Sequence, residues 1–176
     1  MLPEVAVIYG ETTVELRFFE IYRSSEYLLL LAEGILTSAA LTVSAGIMGF
    51  VLAILLASAR HHRWPVLEQL SATFIEFVRN TPLIVQLFFV AFGLPLLLGY
   101  QWAFWAHALL ALIINFSAYF AEILRSGFLS VPVGQLEAAK TLGIPRFIAF
   151  WKILLPQAVA TMYPSLSSQF IFLFLT

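Results

Sequence analysis

The sequence has 176 residues, of which 61% are hydrophobic and 11% are charged, and its formal net charge is −1. Soluble domains average roughly 45–50% apolar and about 25% charged residues, so this composition argues against a soluble enzyme. The near-neutral charge gives no basic surface for nucleic acid. The absence of cysteine excludes disulfides, thiolate metal sites and cysteine nucleophiles. The length allows four or five membrane spans of about 20 residues each.

Three uncharged stretches predict four membrane-spanning helices. The stretch from Asn80 to Ala121 is too long for one helix, and glycines and a proline at 93–99 break it into two spans joined by a hairpin. The last stretch contains two prolines, and we expect its helix to begin after Pro156 and to kink at Pro164. The predicted spans cover about 28–59, 83–98, 102–120 and 156–176.

The basic residues predict the orientation of these spans. Seven of the nine Lys and Arg residues lie between spans one and two or between spans three and four. Residues 1–27 instead carry five Glu and two Arg. Because cytoplasmic loops are enriched in Lys and Arg, we expect the N-terminus outside and both basic loops in the cytoplasm. The acidic start is not that of a cleavable signal peptide.

The segment 125–156 is polar and contains two predicted short helices. The stretch Glu137–Lys140 favours a helix, and Gly143 fits a C-terminal cap with a positive φ, followed by Pro145. A second helix over 146–154 would place aromatic and aliphatic residues on one face. Two short helices with apolar groups outside the membrane predict an element that docks onto another protein.

The spacing of this segment resembles a known motif. Glu137, Ala138 and Ala139 are followed by three residues and Gly143, then by nine residues, Ile153, one residue, Leu155 and Pro156. This pattern is similar to the EAA loop of the membrane subunits of bacterial ABC importers. The stretches 76–89 and 117–127 are similar to the polar amino acid permeases of the histidine, glutamine and arginine type. The resemblance covers roughly residues 28–172.

The resemblance implies an all-α integral membrane fold with five spans, the type I ABC importer transmembrane domain. Four of those spans are expected here, since the chain ends inside an apolar run at Thr176. Residues 1–27 would then form an extracytoplasmic segment and 28–176 the transmembrane domain, with a cytoplasmic coupling loop at about 125–156. In the EAA loop, Ala138 and Ala139 would allow a partner to approach closely.

The resemblance also implies a function and partners. The chain would be a permease subunit of the bacterial inner membrane that moves polar amino acids by alternating access. Its implied partners are ATP-binding subunits, a second permease subunit (in a homodimer or heterodimer) and an extracytoplasmic solute-binding protein. No phosphate-binding Gly-x4-Gly-Lys-Ser/Thr string is present, so ATP and magnesium are expected only in a partner, and the chain itself is not expected to be an enzyme.

Several polar residues within the apolar stretches have two interpretations. Glu122 and Arg125 lie three residues apart on one helix, so they form either a structural ion pair or a contact with a zwitterionic substrate. Gln86, Asn115 and Gln169 either tie helices together or line a pathway. The three histidines have no metal-ligand spacing.

Two other classes of function compete with this interpretation. A small ion-coupled transporter usually needs ionisable groups near mid-membrane, and this sequence offers only His107 near the end of a span. A non-transporting membrane scaffold is the second alternative. Co-purification with an ATPase would separate all three classes.

Overall fold

The computed structural model describes residues 8–9, 12–13 and 25–175, and these are almost entirely helical. Two-residue strands form an antiparallel pair with Ile8 opposite Thr13. Most of the predicted extracytoplasmic segment 1–27 lies outside the described residues. The elements are β1 (Ile8–Tyr9), β2 (Thr12–Thr13), α1 (Ser25–His61), α2 (Pro65–Arg79), α3 (Leu83–Phe88), π1 (Phe89–Gly93), α4 (Leu94–Leu98), α5 (Phe104–Ser130), α6 (Val133–Thr141), α7 (Arg146–Ala149), π2 (Phe150–Leu154) and α8 (Leu155–Leu175).

The chain divides into two compact units, 1–38 and 39–176. The first contains the strand pair and the first turns of α1, and the second contains everything that follows. The described residues include three helices that are long and apolar enough to cross a membrane, Ser25–His61, Phe104–Ser130 and Arg146–Leu175. A fourth candidate is the pair Pro65–Arg79 and Leu83–Leu98, which is bent by 106°.

The start of the last span differs from the prediction. The helix does not begin after Pro156 but runs without a break from Arg146 to Leu175, through α7, π2 and α8. Since α5 also continues to Ser130, the stretch between the two long helices covers 131–145 rather than 125–156. Pro156 therefore lies inside a helix.

A wider helical turn explains how this proline is tolerated. Pro156 follows the end of π2 by two residues, and Pro95 follows the end of π1 at the same spacing. A proline cannot donate a hydrogen bond to the carbonyl group four residues earlier, and its ring crowds that carbonyl. In both helices that carbonyl belongs to a residue of the π turn, where the backbone has already left α-helical register.

The helix α2 was not predicted from the sequence, which indicated only a basic loop between spans one and two. Pro65 occupies its first turn, and the buried residues Ser71, Ile75 and Val78 follow at helical spacing. This face packs against α5, and the axis then turns sharply into α3. The bend moves the start of the second span to the surface of α5.

The helix α5 lies at the centre of the second unit and packs against α2, α3 and α8. Phe116 and Leu124 are fully buried on it. Two glycines allow close approach: a Cβ atom on Gly49 would lie 3.3 Å from the Cβ of Phe116, and one on Gly127 would lie 3.0 Å from the carbonyl oxygen of Ala158. Small residues therefore set the helix spacing, as is usual for membrane helices.

Candidate functional site

The segment between α5 and the last long helix forms a helix–turn–helix closed by a Schellman motif. Gly143 has a φ of +72°, which confirms the predicted left-handed turn. Its N–H donates to the carbonyl oxygen of Lys140 at 3.1 Å, and the N–H of Ile144 donates to that of Ala139 at 2.9 Å. These two bonds satisfy carbonyl groups that the end of α6 would otherwise leave unpaired.

The two alanines of the predicted motif differ in exposure. Ala138 is exposed, as are Glu137 and Lys140, whereas Ala139 is only 2% exposed and lies inside the chain. The expectation that both alanines face a partner was therefore wrong for Ala139. On a helix of 3.6 residues per turn, one face of α6 must cover the adjoining α7 and π2, and Ala139 lies on that face.

The exposed side of the turn carries large apolar residues that the motif did not identify. Leu142 is 77% exposed and Phe147 is 73% exposed, on either side of Gly143. Both lie in the polar segment rather than in a predicted span. In the sequence, an apolar side chain followed by glycine at the end of a charged helix could have indicated Leu142.

The remaining residues of the predicted motif lie behind this surface. Leu155 is buried in the core, Ile153 is half-buried in π2, and Pro156 is exposed on the outer side of the helix. The seven motif residues therefore form no single surface. Glu137, Ala138 and Gly143 are exposed at the turn, and Leu155 anchors the following helix.

The predicted pair Glu122–Arg125 forms, and it includes a third residue. Arg125 donates from Nε to Glu122 Oε1 at 2.9 Å and also from Nη2 to the same oxygen. Arg60 at the end of α1 donates from Nη1 to Glu122 Oε2 at 2.9 Å. Arg79 lies 5.6 Å above the ring of Tyr119, one turn before Glu122. One carboxylate therefore joins α1 to α5, a contact that no local sequence pattern indicates.

Gln86 and Asn115 form a buried network. The Gln86 amide nitrogen donates to the carbonyl oxygens of Val78 at 2.7 Å and Thr81 at 2.9 Å, and its oxygen accepts a hydrogen bond from Asn115 Nδ2 at 3.0 Å. Both amide donors and the acceptor of Gln86 are thus used. The geometry supports an interhelical tie, because the network fixes the bend between α2 and α3 and joins it to α5.

Gln169 is half-buried and makes no side-chain hydrogen bond to the described residues. An open groove of about 470 Å³ lies between α1 and α8, lined mainly by apolar residues such as Phe50, Phe120 and Phe170. None of the five predicted pathway residues lines it.

Aromatic rings connect the end of α1 to α5 and to π2. The ring centroid of His61 lies 5.4 Å from that of Phe128, and the ring centroid of His62 lies 5.3 Å from that of Phe150. Phe128 and Phe150 are themselves 5.5 Å apart and are both buried. Among the described residues, no group of three His, Cys, Asp or Glu side chains is placed to hold a metal ion.

Comparison with known proteins places this architecture in a family. The family described as "Binding-protein-dependent transport system inner membrane component" matches residues 49–176. A putative glutamine transport system permease protein from Rickettsia bellii is 33% identical over 154 residues, which cover 88% of this chain and 71% of the relative. A probable glutamine ABC transporter permease protein from Bacillus subtilis is 37% identical over 148 residues, which cover 84% of this chain and 67% of the relative.

A solved structure described as an amino acid ABC transporter with histidines has the same fold. It matches with a TM-score of 0.74 and 32% sequence identity, covering 85% of this chain and 69% of that one. The expected all-α fold of ABC importer transmembrane domains is confirmed. The chain therefore belongs to the family of inner membrane components of binding-protein-dependent transport systems, as a permease subunit of an ABC transporter.

Proposed function

We propose that this permease moves polar amino acids across the bacterial inner membrane by alternating access, driven by ATP hydrolysis in separate subunits. The names of the glutamine permeases and of the amino acid transporter structure support the substrate class. The family's own description supports a dependence on a binding protein and a location in the inner membrane.

The exposed apolar turn at Gly143 carries the proposal, because it is suited to docking onto an ATP-binding subunit. Leu142 and Phe147 project from it, while Ala139 and Phe150 hold it against the rest of the chain. The turn therefore presents two large apolar side chains, before and at the start of the last long helix. A few well-packed anchor residues contribute most of the binding free energy at protein interfaces, and we propose Phe147 and Leu142 as such anchors.

The proposed assembly contains two permease subunits, two ATP-binding subunits and an extracytoplasmic binding protein, with ATP and magnesium held by the ATP-binding subunits. We place the N-terminus outside and the turn inside. The support for this orientation is the basic charge near the turn. Arg60 and Arg125 both donate to Glu122, which lies in the last part of α5, the helix that leads towards the turn at Gly143.

Charged substitutions on the turn test the docking step. Leu142→Glu and Phe147→Glu should weaken co-purification with the ATP-binding subunits by roughly tenfold or more, as expected for anchor residues. Both side chains are exposed, so the fold should be retained. Gln135→Glu is the matched control, because Gln135 is an exposed polar residue of the same helix. If both Glu variants assemble normally and keep ATP-driven uptake, the turn is not the docking element.

The substrate class has a separate test. Proteoliposomes that contain the complete complex should take up labelled glutamine or histidine when ATP and the binding protein are present. Leucine should be a poor competitor. Uptake that persists without the ATP-binding subunits and follows an ion gradient would instead identify a secondary transporter.

A further inference from the structure

We propose that His61 and His62, at the C-terminal end of α1, are positioning residues that transmit movement of the turn segment to the first span. The turn segment means residues 131–154 throughout. This inference rests on the proposed function, because it concerns how a docked ATP-binding subunit moves the membrane helices.

The covalent connections of the turn segment leave α1 out. The segment continues directly from α5 and leads directly into α8, so a force applied at Gly143 reaches both helices through the backbone. The helix α1 is separated from it in sequence by α2 to α5. Any coupling of α1 to the segment therefore depends on side-chain contacts.

The aromatic contacts form a continuous path from the exposed turn to α1. The ring centroid of Phe147 lies 6.2 Å from that of Trp151, which lies 5.6 Å from that of Phe150. Phe150 in turn lies 5.3 Å from His62 and 6.3 Å from His61. The path begins at a residue of the proposed docking surface and ends on the last turn of α1.

Contacts hold the histidine rings in place, although His62 is exposed and His61 is half-buried. His62 Nδ1 lies 3.0 Å from the carbonyl oxygen of Ser58, to which an N–H at this position would donate. The other side of His62 faces Trp64, whose ring centroid is 5.7 Å away. Phe150, the ring contacted by both histidines, is only 5% exposed. A displacement of Phe150 must therefore displace the end of α1 or break these contacts.

The adjacent ion pair limits how the end of α1 can move. Arg60 precedes His61 and is bonded to Glu122 of α5 at 2.9 Å. The last turn of α1 is thus attached to α5 by charge and to the turn segment by aromatic packing. Movement of the segment relative to α5 would therefore act on the contacts of residues 60–62, as well as on the contact between Phe150 and Phe128 of α5. Contiguous contacts of this kind can couple distant sites, and a coupling role needs a direct test.

The test is the amount of uptake per ATP hydrolysed in the reconstituted complex. His62→Ala should lower this ratio by about 2- to 30-fold, the range seen for residues that carry coupling between sites. Association with the ATP-binding subunits should remain unchanged, because the docking surface is intact. His62 is exposed, so the substitution leaves the core unaltered. His62→Phe should restore the ratio, since the contact with Phe150 depends on a ring.

Two controls separate this role from general packing. Phe92→Ala removes one ring of the exposed pair Phe88–Phe92, whose ring centroids are 5.7 Å apart. This variant should leave the uptake per ATP hydrolysed unchanged. Because the chain has no cysteine, single cysteines at Arg63 and Lys140 can carry spin labels. Their distance distribution should stay narrow through the nucleotide cycle in the unmodified complex and broaden in the double variant His61→Ala/His62→Ala.

The outcomes also separate this inference from the proposed function. If Phe147→Glu abolishes docking while His62→Ala leaves both the uptake ratio and the label distances unchanged, the coupling role of the histidines is refuted and the docking surface stands. If Leu142→Glu and Phe147→Glu both assemble normally and keep ATP-driven uptake, the turn is not the docking element, and the aromatic path from Phe147 to the histidines receives no force from a docked subunit.

Discussion

Substitution of Gly143 should disrupt the turn without any steric clash. Its φ of +72° lies in the left-handed region, and a Cβ atom built there has no neighbour within 4 Å. The whole effect should therefore come from the backbone. Gly143→Ala and Gly143→Val should both lower binding-protein-stimulated ATP hydrolysis, with Val worse because its branched Cβ is more restricted. Gly143→Asn should be milder, since Asn tolerates this region best after Gly.

The expected magnitude follows from this geometry. Holding an L-residue in the left-handed conformation costs roughly 1–2 kcal/mol, which reduces the population of the native turn by about 5- to 30-fold relative to alternatives. The Schellman bonds of Gly143 and Ile144 oppose this loss. We therefore expect a fall in stimulated hydrolysis within about the same range, with membrane insertion unaffected.

Gly134 provides a matched control for this substitution. It lies in the first turn of α6, and a Cβ atom there also has no neighbour within 4 Å, but its φ is not positive. Gly134→Ala should raise the helix propensity of α6 by up to about 1 kcal/mol and leave coupling intact. If Gly143→Val and Gly134→Ala behave alike in purified, correctly assembled complexes, the conformation of the turn does not determine coupling.

Four further substitutions, one of them a control, test the packing and the orientation. Asn115→Leu should leave the Gln86 oxygen without its buried donor and lower the stability of the detergent-solubilised subunit by about 1 kcal/mol, measured as a drop in Tm; an unchanged Tm would mean that the bond contributes nothing. Gly127→Leu should lower the stability more, by roughly 1–3 kcal/mol, because its Cβ would lie 3.0 Å from a carbonyl oxygen of α8. Gly34→Leu is the control and should not change the stability, because a Cβ atom there has no neighbour within 4 Å. A single cysteine at Ser130 should react with an impermeant reagent only from the cytoplasmic side, and labelling from outside would overturn the proposed orientation.

Local features of the fold could be read from the sequence because their causes are local. An uncharged run of sufficient length determines a span, and a glycine after a helix-forming stretch determines the turn at Gly143. The last helix was placed wrongly for a local reason as well. Pro156 has the pattern of a helix start, and the π turn that accommodates it inside the helix has no recognised sequence signature.

The contacts between helices could not be predicted, because each one depends on how distant segments pack. Arg60 and Glu122 are 62 residues apart, and Gln86 and Asn115 are 29 apart. The sequence identified three of these residues as polar groups in or near a membrane, but it did not pair them. The pairing of Gln86 with Asn115 follows from the bend after α2, which brings Gln86 to the surface of α5.

Exposure of apolar side chains has different meanings in the two parts of this chain. On the spans, exposed Leu, Ile and Phe residues meet the low dielectric of a bilayer, so they need no protein partner. Leu142 and Phe147 are exposed just as strongly, but they lie beside the charged residues Lys140 and Arg146, at or before the start of the last long helix. Because exposed apolar patches often mark protein interaction sites, these two side chains support the proposed docking surface. Ala139 is buried against α7 and π2, so the exposed apolar side chains of the segment are the ones available for the proposed docking contact.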